Sequence, residues 1–211
     1  MLDLKLPGEF KAFVNPDSKL KYYSKNPLKA ALIKRFFGKI LGMIQEVNPR
    51  EMIEIGCGDG IAGYLIRKNL PDLEYYPADV QTESLINASR ILNIREMIKL
   101  DARVLPYPDK TFDLALFLEV FEHIEGWEKA FSEGLRIARK GLIFSVPAYP
   151  WFQLSRLIFL KNLSRMGEHP DHINQFPPGR TKQQIEMLCN QLKLKVNYGF
   201  VFPWLTGKII F

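Results

Sequence analysis

Apolar residues follow two different spacings along the chain, and these spacings predict its elements. Near the N-terminus they recur every three or four positions, as on one face of a helix. Asn26-Pro27 favours the start of that helix, because Asn caps a first turn and Pro suits its first position. Pro49 ends it. The apolar face consists of Leu28, Leu32, Phe36, Ile40, Met43 and Ile44.

Beyond Pro49, short apolar runs alternate with helical stretches. This alternation indicates βαβ units, so we predict an α/β, Rossmann-like three-layer fold with a mostly parallel central sheet. Ligands bind such sheets at the carboxyl ends of the strands. Strands are predicted over 52–55, 73–78, 97–100, 112–118, 141–146 and 194–201, and helices over 61–69, 83–92 and 127–138, with a last helix starting at a Thr181–Gln184 capping box.

Residues 147–179 interrupt the alternation. The segment is long, irregular and rich in Pro, His and aromatic residues, and a loop of this length is usually functional. We therefore predict one domain over 1–211, with an N-terminal helical extension over 1–48 and a lid that binds a substrate over 147–179. The lid carries Tyr149, Trp151, Phe152, Phe159, His169 and His172, with basic residues at Arg156, Lys161, Arg165 and Arg180.

Composition narrows the class of protein. The chain has 211 residues, of which 47% are hydrophobic and 25% charged, which is enough apolar surface for a core. The charge-free stretch 141–155 is too short to span a membrane, and the N-terminus has no signal-peptide core. Cys57 and Cys189 match no metal-ligand spacing. We expect a reduced, cytoplasmic protein.

The formal net charge of +6 suits an anionic partner, such as nucleic acid, an anionic lipid surface or a phosphorylated substrate. The basic residues are spread out, however, with local density only at 19–29 and 34–39. We favour the interpretation that these lysines and arginines form a solvated face.

Glycines follow the first predicted strand, in Glu54-Ile-Gly56-Cys-Gly58-Asp-Gly60. Glycine lets the backbone turn sharply and lets a ligand approach it closely. Gly58-x-Gly60-x-x-Gly63 also fits the dinucleotide fingerprint, with Asp79 as the ribose-binding acid. That interpretation is less favoured, because the first glycine after the strand is Gly56 and the pattern counted from it is GxGxG.

This segment resembles motif I of the class I S-adenosylmethionine-dependent methyltransferases. Three further segments resemble the family in order and spacing: Tyr76-Pro-Ala-Asp79; Leu100-Asp101-Ala102 with Leu105-Pro106-Tyr107; and Leu118-Glu119-Val-Phe-Glu-His123-Ile124. His172-Ile-Asn-Gln-Phe176 is similar to a feature of the branch that methylates small molecules. The family ends in a strand hairpin, whereas this chain stops at Lys208-Ile-Ile-Phe211, so strand seven is expected to be short or absent.

The resemblance implies S-adenosylmethionine as cofactor. Asp79 would accept hydrogen bonds from the ribose hydroxyls, with an ordinary helix N-cap as the alternative role. Asp101 would contact the adenine amine, or simply form a turn. Glu119 would line the methionine end, with an ordinary acid at a helix start as the alternative for both Glu119 and Glu122. Glu54 would reach the cofactor's amino group through water, or else pair with a buried cation. The implied cofactor-binding set is Glu54, Gly56, Cys57, Gly58, Gly60, Asp79, Val80, Asp101, Ala102 and Glu119.

Histidines are the candidate catalytic groups. His123 and His172 can take a proton near neutral pH, although a pocket-shaping role fits His123 equally well. His169 and His172 bracket Pro170-Asp171 without a firm metal-ligand spacing, so no metal site is predicted. Cys57 is expected to be a small loop residue. No Asn-Pro-Pro-Tyr or Asp-Pro-Pro-Tyr motif follows the fourth strand, which argues against methylation of nucleic-acid bases.

The predicted function is methyl transfer to a small-molecule, sugar-like or lipid-like acceptor. Two alternatives stay open: a non-catalytic cofactor-binding or assembly module, and an NAD-binding oxidoreductase. The C-terminus is apolar and predicts core packing or a homodimer interface, with peripheral membrane contact as the alternative. Its apolar residues are Phe200, Phe202, Pro203, Trp204, Ile209, Ile210 and Phe211.

Overall fold

A seven-stranded mixed sheet forms the centre of the molecule in the computed structural model, which describes residues 3–159 and 169–211. The strand order is β3-β2-β1-β4-β5-β7-β6, with β1 to β5 parallel and β7 antiparallel to both of its neighbours. The strands are β1 Glu51–Ile55, β2 Glu74–Asp79, β3 Ile98–Lys99, β4 Phe112–Leu118, β5 Ala138–Pro147, β6 Val196–Val201 and β7 Trp204–Ile210.

Helices cover both faces of this sheet. One core packs α2, α3 and α4 on one face, and the other packs α5 and α7 on the opposite face. Alternate residues of β4 serve the two cores, with Leu114 and Leu116 on one side and Ala115 and Phe117 on the other. The helices are α1 Pro16–Tyr22, α2 Pro27–Val47, α3 Ile61–Asn69, α4 Thr82–Leu92, α5 Trp127–Ile137, α6 Trp151–Ile158 and α7 Pro178–Asn190, with short 3-10 turns at Gly8–Ala12 and Phe121–His123.

The predicted N-terminal helix is present with its predicted cap. The side chain of Asn26 accepts from the backbone N–H groups of Leu28 and Lys29 at 3.0 and 3.2 Å. The predicted capping box is wrong. α7 begins at Pro178, and Thr181 lies inside its first turn, where its hydroxyl donates to the carbonyl of Pro177 at 2.8 Å. Proline at the first helical position starts this helix instead.

The expectation for strand seven is also wrong, because β7 has seven residues and pairs with β5 and β6 along its length. Thr206, Gly207 and Lys208 interrupt the apolar pattern of this strand and are residue types typical of loops, but here they are buried. Gly207 lies against the Phe144 ring, where a Cβ would approach Cε1 to 2.2 Å. Lys208 buries its stem and pairs with Glu46.

The apolar C-terminus is mostly core. Trp204 and Ile209 are buried, whereas Phe200, Ile210 and Phe211 remain exposed. The homodimer interface and the peripheral membrane contact stay predictions. Over the described parts of the chain, none of the helices has the length and apolar character needed to traverse a bilayer.

Candidate functional site

The carboxyl ends of β1, β2 and β4 open onto one cavity of about 1080 Å³. The glycine loop after β1 forms part of its wall. Gly56 (φ +77°) lies against Val120, where a Cβ would come within 2.5 Å of Cγ2. Gly58 (φ +53°) differs, because a Cβ there would meet no atom within 4 Å. Its backbone therefore faces open space in the cavity, as an approaching ligand requires.

The other glycines of the loop region have packing roles. A Cβ on Gly60 would lie 2.9 Å from Cα of Ala88, so this glycine brings α3 and α4 together. A Cβ on Gly63 would lie 2.2 Å from the Tyr75 hydroxyl oxygen. Packing therefore explains the GxGxxG spacing that also fitted a dinucleotide fingerprint.

Asp79 ends β2 with a buried carboxylate directed at the glycine loop. Its Oδ2 accepts from the backbone N–H of Gly58 at 2.9 Å, and Oδ1 accepts from that of Gln81 at 2.8 Å. The alternative helix-cap role is wrong, because the N-cap residue of α4 is Gln81. Val80, beside it, is 58% exposed and presents an apolar side chain to the cavity.

Glu54 lies in β1, below the glycine loop, and is buried. The hydroxyl of Tyr75 donates to its carboxyl group. The partner of Glu54 is therefore a neutral donor and not the buried cation considered from the sequence. Burial raises the pKa of Glu54 to about 8, against the lowering effect of Tyr75, and nearby Asp79 raises it further. Burial also raises the pKa of the Cys57 thiol, which disfavours the thiolate that a nucleophile requires.

Asp101 and Ala102 line the cavity after β3, as predicted. Asp101 forms the turn of the alternative interpretation, since its Oδ1 accepts from the backbone N–H of Arg103 at 2.9 Å. It also pairs with the Arg103 guanidinium, with 2.7 Å between Nη2 and Oδ2, and this contact lowers the pKa of Asp101. The neutralising Arg103 was not singled out from the sequence.

Glu119 lies at the end of β4 in a left-handed conformation with φ +56°. Its carboxylate pairs with Lys21 and accepts from the indole N–H of Trp204 at 2.6 Å. Burial alone would raise the pKa of Glu119, but Lys21 and Trp204 outweigh it and lower the pKa. Lys21 belongs to the basic stretch that was interpreted as a solvated face, and for this lysine that interpretation is wrong.

All three histidines of the chain meet at the other end of the cavity. The ring centroid of His172 lies 4.9 Å from that of His123 and 4.6 Å from that of His169. Burial, with His123, His169 and Arg156 nearby, lowers the pKa of His172 to about 3. Burial and Arg156 also lower the pKa of His169. These surroundings therefore disfavour a proton on His172.

Glu122 was not selected from the sequence as a site residue. It is 1% exposed, and its two carboxylate oxygens have no hydrogen-bond partner among the described residues. Burial and the neighbouring Glu119 raise its pKa well above the ordinary value. Glu125, Glu128 and Glu133 follow it in the sequence and are more exposed, and no sequence pattern distinguishes the buried acid from them.

Two segments outside the sheet close the cavity. The N-terminal extension contributes Asn15, Lys21 and Tyr22, and the backbone N–H of Asn15 donates to Asp59 at 2.8 Å. The predicted lid contributes Phe152, Arg156 and Phe159. Of the other basic residues predicted there, Arg180 does not line the cavity, and Lys161 and Arg165 fall outside the described residues.

Comparisons with known proteins agree with this architecture. Residues 53–146 match the model of a methyltransferase domain family. Norajmaline N-methyltransferase of Rauvolfia serpentina is 31% identical over 113 residues, which are 51% of this chain and 39% of that protein. Demethylmenaquinone methyltransferase of Thermotoga maritima is 27% identical over 113 residues, 53% of this chain and 49% of that protein. The matches thus span less than half the length of these curated relatives.

Among solved structures, the plantazolicin methyltransferase BpumL, in complex with a desmethyl analogue and SAH, superposes with a TM-score of 0.69. It covers 96% of each chain at 13% identity, so the likeness is one of fold. The sheet order and the glycine loop define a Rossmann-like α/β domain of the methyltransferase type. The match of residues 53–146 to the methyltransferase domain family, together with this shared fold, confirms the resemblance to class I S-adenosylmethionine-dependent methyltransferases seen in the motifs.

Proposed function

We propose that this chain binds S-adenosylmethionine and transfers its methyl group to a small-molecule acceptor in the same cavity. The observation that carries the proposal is the pairing of Gly58 with Asp79. The glycine backbone faces open space, and the carboxylate bonded to it is buried at the end of the neighbouring strand. A polar cofactor with hydroxyl groups fits this combination, because the carboxylate keeps lone pairs for further donors.

The loop residues Gly56, Cys57, Gly58 and Gly60 would hold the cofactor from one side. Asp79 would accept from its ribose hydroxyls, and Val80 would pack against its base. Asp101 and Ala102 would border the base on the other side. Glu54 and Glu119 would face the amino-acid end, with Glu119 already bonded to Lys21 and Trp204.

Bound S-adenosylmethionine would supply an activated methyl group on its sulfonium, and the proton of the acceptor would pass to a base. The chain mainly positions the acceptor, and alignment of this kind supplies much of a rate enhancement. His172 lines this end of the cavity and is a candidate to take the proton, although its lowered pKa makes it a weak base. His123, whose ring is adjacent, is the second candidate base.

The acceptor would occupy the end of the cavity between the N-terminal extension and residues 147–179. Phe152, Phe159 and Tyr22 give this end apolar walls. Arg156 lines the same end with a buried Nε that has no partner among the described residues, so it can bind an anionic or carbonyl oxygen. Two relatives are named as methyltransferases that act on norajmaline and on demethylmenaquinone. These names support an apolar acceptor with few polar groups.

Calorimetry tests the cofactor assignment. S-adenosylmethionine and S-adenosylhomocysteine are expected to bind with one site, and NAD is expected not to bind. Binding of NAD alone would favour the oxidoreductase instead. Turnover is tested with a methyl-labelled cofactor against demethylmenaquinones and alkaloid amines, and labelled product is expected from an apolar acceptor. Binding of both cofactor and acceptors without product would favour a non-catalytic module.

A further inference from the structure

We propose that Glu122, His123 and His172 bind a divalent transition-metal ion at the acceptor end of the cavity. Each residue offers one ligand atom, and these three atoms all lie within 4.8 Å of one another. Bonds of about 2.0–2.2 Å to a metal would place neighbouring ligand atoms about 3–4 Å apart. Small side-chain rotations therefore close the set around an ion.

The buried carboxylate of Glu122 is the strongest argument for an ion. It is 1% exposed, and no described residue donates to either oxygen. A buried acid without a donor is costly, so such a group in a folded protein calls for an explanation. A cation held with two imidazoles would bond to one or both oxygens and remove that cost.

Both histidines are already held by their other ring nitrogen. Nδ1 of His123 lies 2.9 Å from the carbonyl oxygen of Asp171, and Nδ1 of His172 lies 2.9 Å from the Tyr149 hydroxyl. Metal-binding histidines characteristically donate one ring N–H to such a partner, which fixes the ring and directs the other nitrogen at the metal. Here Nε2 of both rings has no hydrogen-bond partner within the described ranges.

The two segments that carry the ligands are bonded together. The carbonyl of Glu122 accepts from the backbone N–H groups of Ile173 and Asn174 at 2.9 and 3.2 Å. The Asn174 side chain donates to the carbonyls of Phe121 and Ile124 at 2.8 and 2.7 Å. These bonds position the ligands before any ion arrives, and such preorganisation favours binding.

The charge around the site also suits a cation. Nine Asp and Glu side chains line the cavity, among them Asp17, Glu119, Glu122 and Asp171, against four Lys and Arg side chains. Two imidazoles with one carboxylate favour Zn²⁺, Mn²⁺, Fe²⁺ or Co²⁺ over Mg²⁺ and Ca²⁺, which prefer oxygen ligands. Three protein ligands leave positions open for an oxygen of the acceptor, an extension that rests on the proposed function. With the ion bound, His123 and His172 would hold the metal and would no longer serve as proton acceptors.

The experiment is a Co²⁺ titration of the chelator-treated full chain, followed by visible absorption and metal analysis. We expect one equivalent of Co²⁺ with ligand-field bands. Glu122→Gln and His172→Ala are each expected to weaken binding about a hundredfold or more, since loss even of a ligand's supporting partner costs about 10–100-fold. His169→Gln is the matched control, because this ring stacks on His172 but is outside the ligand set, and it should bind Co²⁺ like the unchanged chain.

Binding of S-adenosylhomocysteine and the thermal unfolding midpoint are measured on each variant to establish that it folds. Saturating Co²⁺ should raise the midpoint of the unchanged chain and of His169→Gln, but not that of Glu122→Gln. The proposal is overturned if Co²⁺ fails to bind the unchanged chain, or if Glu122→Gln binds it equally well. Metal binding is measured without cofactor. A failure to bind Co²⁺ would therefore contradict the metal site alone, and a failure to bind S-adenosylhomocysteine would contradict the proposed function.

Discussion

Lys21 and Glu119 form an ion pair that joins the N-terminal extension to the carboxyl end of β4. Both side chains are mostly buried, with 25% and 20% of their surfaces exposed. Glu119 needs this support, because its φ of +56° is an uncommon conformation for a residue with a side chain. Its backbone N–H donates to Ser145, and its carboxylate accepts from both Lys21 and Trp204. The extension is therefore part of the cavity wall.

The first prediction concerns this ion pair. Lys21→Met should lower the free energy of unfolding by about 1–2 kcal/mol, because it leaves a mostly buried carboxylate with Trp204 alone. Lys19→Met, at an exposed lysine of the same helix, should change it by less than about 0.5 kcal/mol. Urea denaturation of both variants measures the difference. Equal effects would mean that the Lys21–Glu119 contact contributes nothing.

The second prediction concerns Asp79. Asp79→Ala should weaken binding of S-adenosylhomocysteine about tenfold to a hundredfold, since a hydrogen bond to a charged acceptor is worth about 1.5–3 kcal/mol. Asp79→Asn should lose less, because its amide oxygen can still accept from Gly58. Calorimetry gives both affinities. Unchanged affinity in Asp79→Ala would show that the ribose role is wrong.

The third prediction concerns Gly58. Gly58→Val should abolish binding of S-adenosylhomocysteine, because the side chain would fill space that the backbone leaves open, at φ +53°. The left-handed conformation adds about 1–2 kcal/mol of strain. Gly179→Val is the control, since a Cβ there also meets nothing within 4 Å and no unusual φ applies. A Gly58→Val chain that folds and binds normally would remove this loop from the cofactor site.

The fourth prediction concerns the pH dependence of stability. Burial raises the pKa of Glu54 to about 8 from an ordinary 4.5, so between these values the folded chain binds more protons than the unfolded chain. Stability contributed by this group therefore falls as the pH rises through that window. Glu54→Gln removes the effect and can still accept from the Tyr75 hydroxyl.

Urea denaturation at about pH 5, pH 6.5 and pH 8 tests this shift. Relative to the unchanged chain, Glu54→Gln should become steadily more stable as the pH rises. Tyr75→Phe is the companion variant, because it removes the donor that holds the Glu54 pKa down. A stability difference that stays constant with pH would contradict the raised pKa.

Elements were predictable where local signals agreed with the fold. The bounds of α3 and β4 match the prediction to the residue, because each combines a clear apolar period with glycine or polar ends. The residues predicted to bind the cofactor lie around one cavity because most of them follow strands in a parallel sheet, where the strand ends meet. Strand seven was not predicted, because a lysine at position 208 is expected to be exposed. In the structure Lys208 pairs with Glu46.

The convergence of Glu122, Lys21 and Trp204 on one part of the cavity could not be predicted, because these residues are distant in sequence. His123 and His172 are separated by the whole of β5 and α6, and Glu122 is distinguished from surface acids only by burial. Lys21 and Trp204 reach Glu119 from opposite ends of the chain. Only tertiary packing decides such contacts, and the spacing of residues in the sequence carries no trace of them.

The last prediction concerns the segment 147–179 as a lid. It follows β5 directly, so it starts at the ligand-binding edge of the sheet. Its helix α6 directs Phe152 and Ser155 at the cavity, whereas Trp151, Leu154 and Ile158 are exposed. A helix that is anchored on one side only is suited to open and close, and closure would exclude water from the site.

Hydrogen exchange decides between a lid and a fixed decoration of the fold. The lid requires peptides covering 147–159 and 169–179 to exchange quickly in the free chain. They should then slow when S-adenosylhomocysteine and an acceptor bind together, because closure orders their backbone. Peptides from β4 and β5 are the internal control, since a central strand should be protected in both states. Equal and strong protection of 147–159 with and without ligands would contradict the lid, and the moving wall would then have to lie in the N-terminal region 22–39.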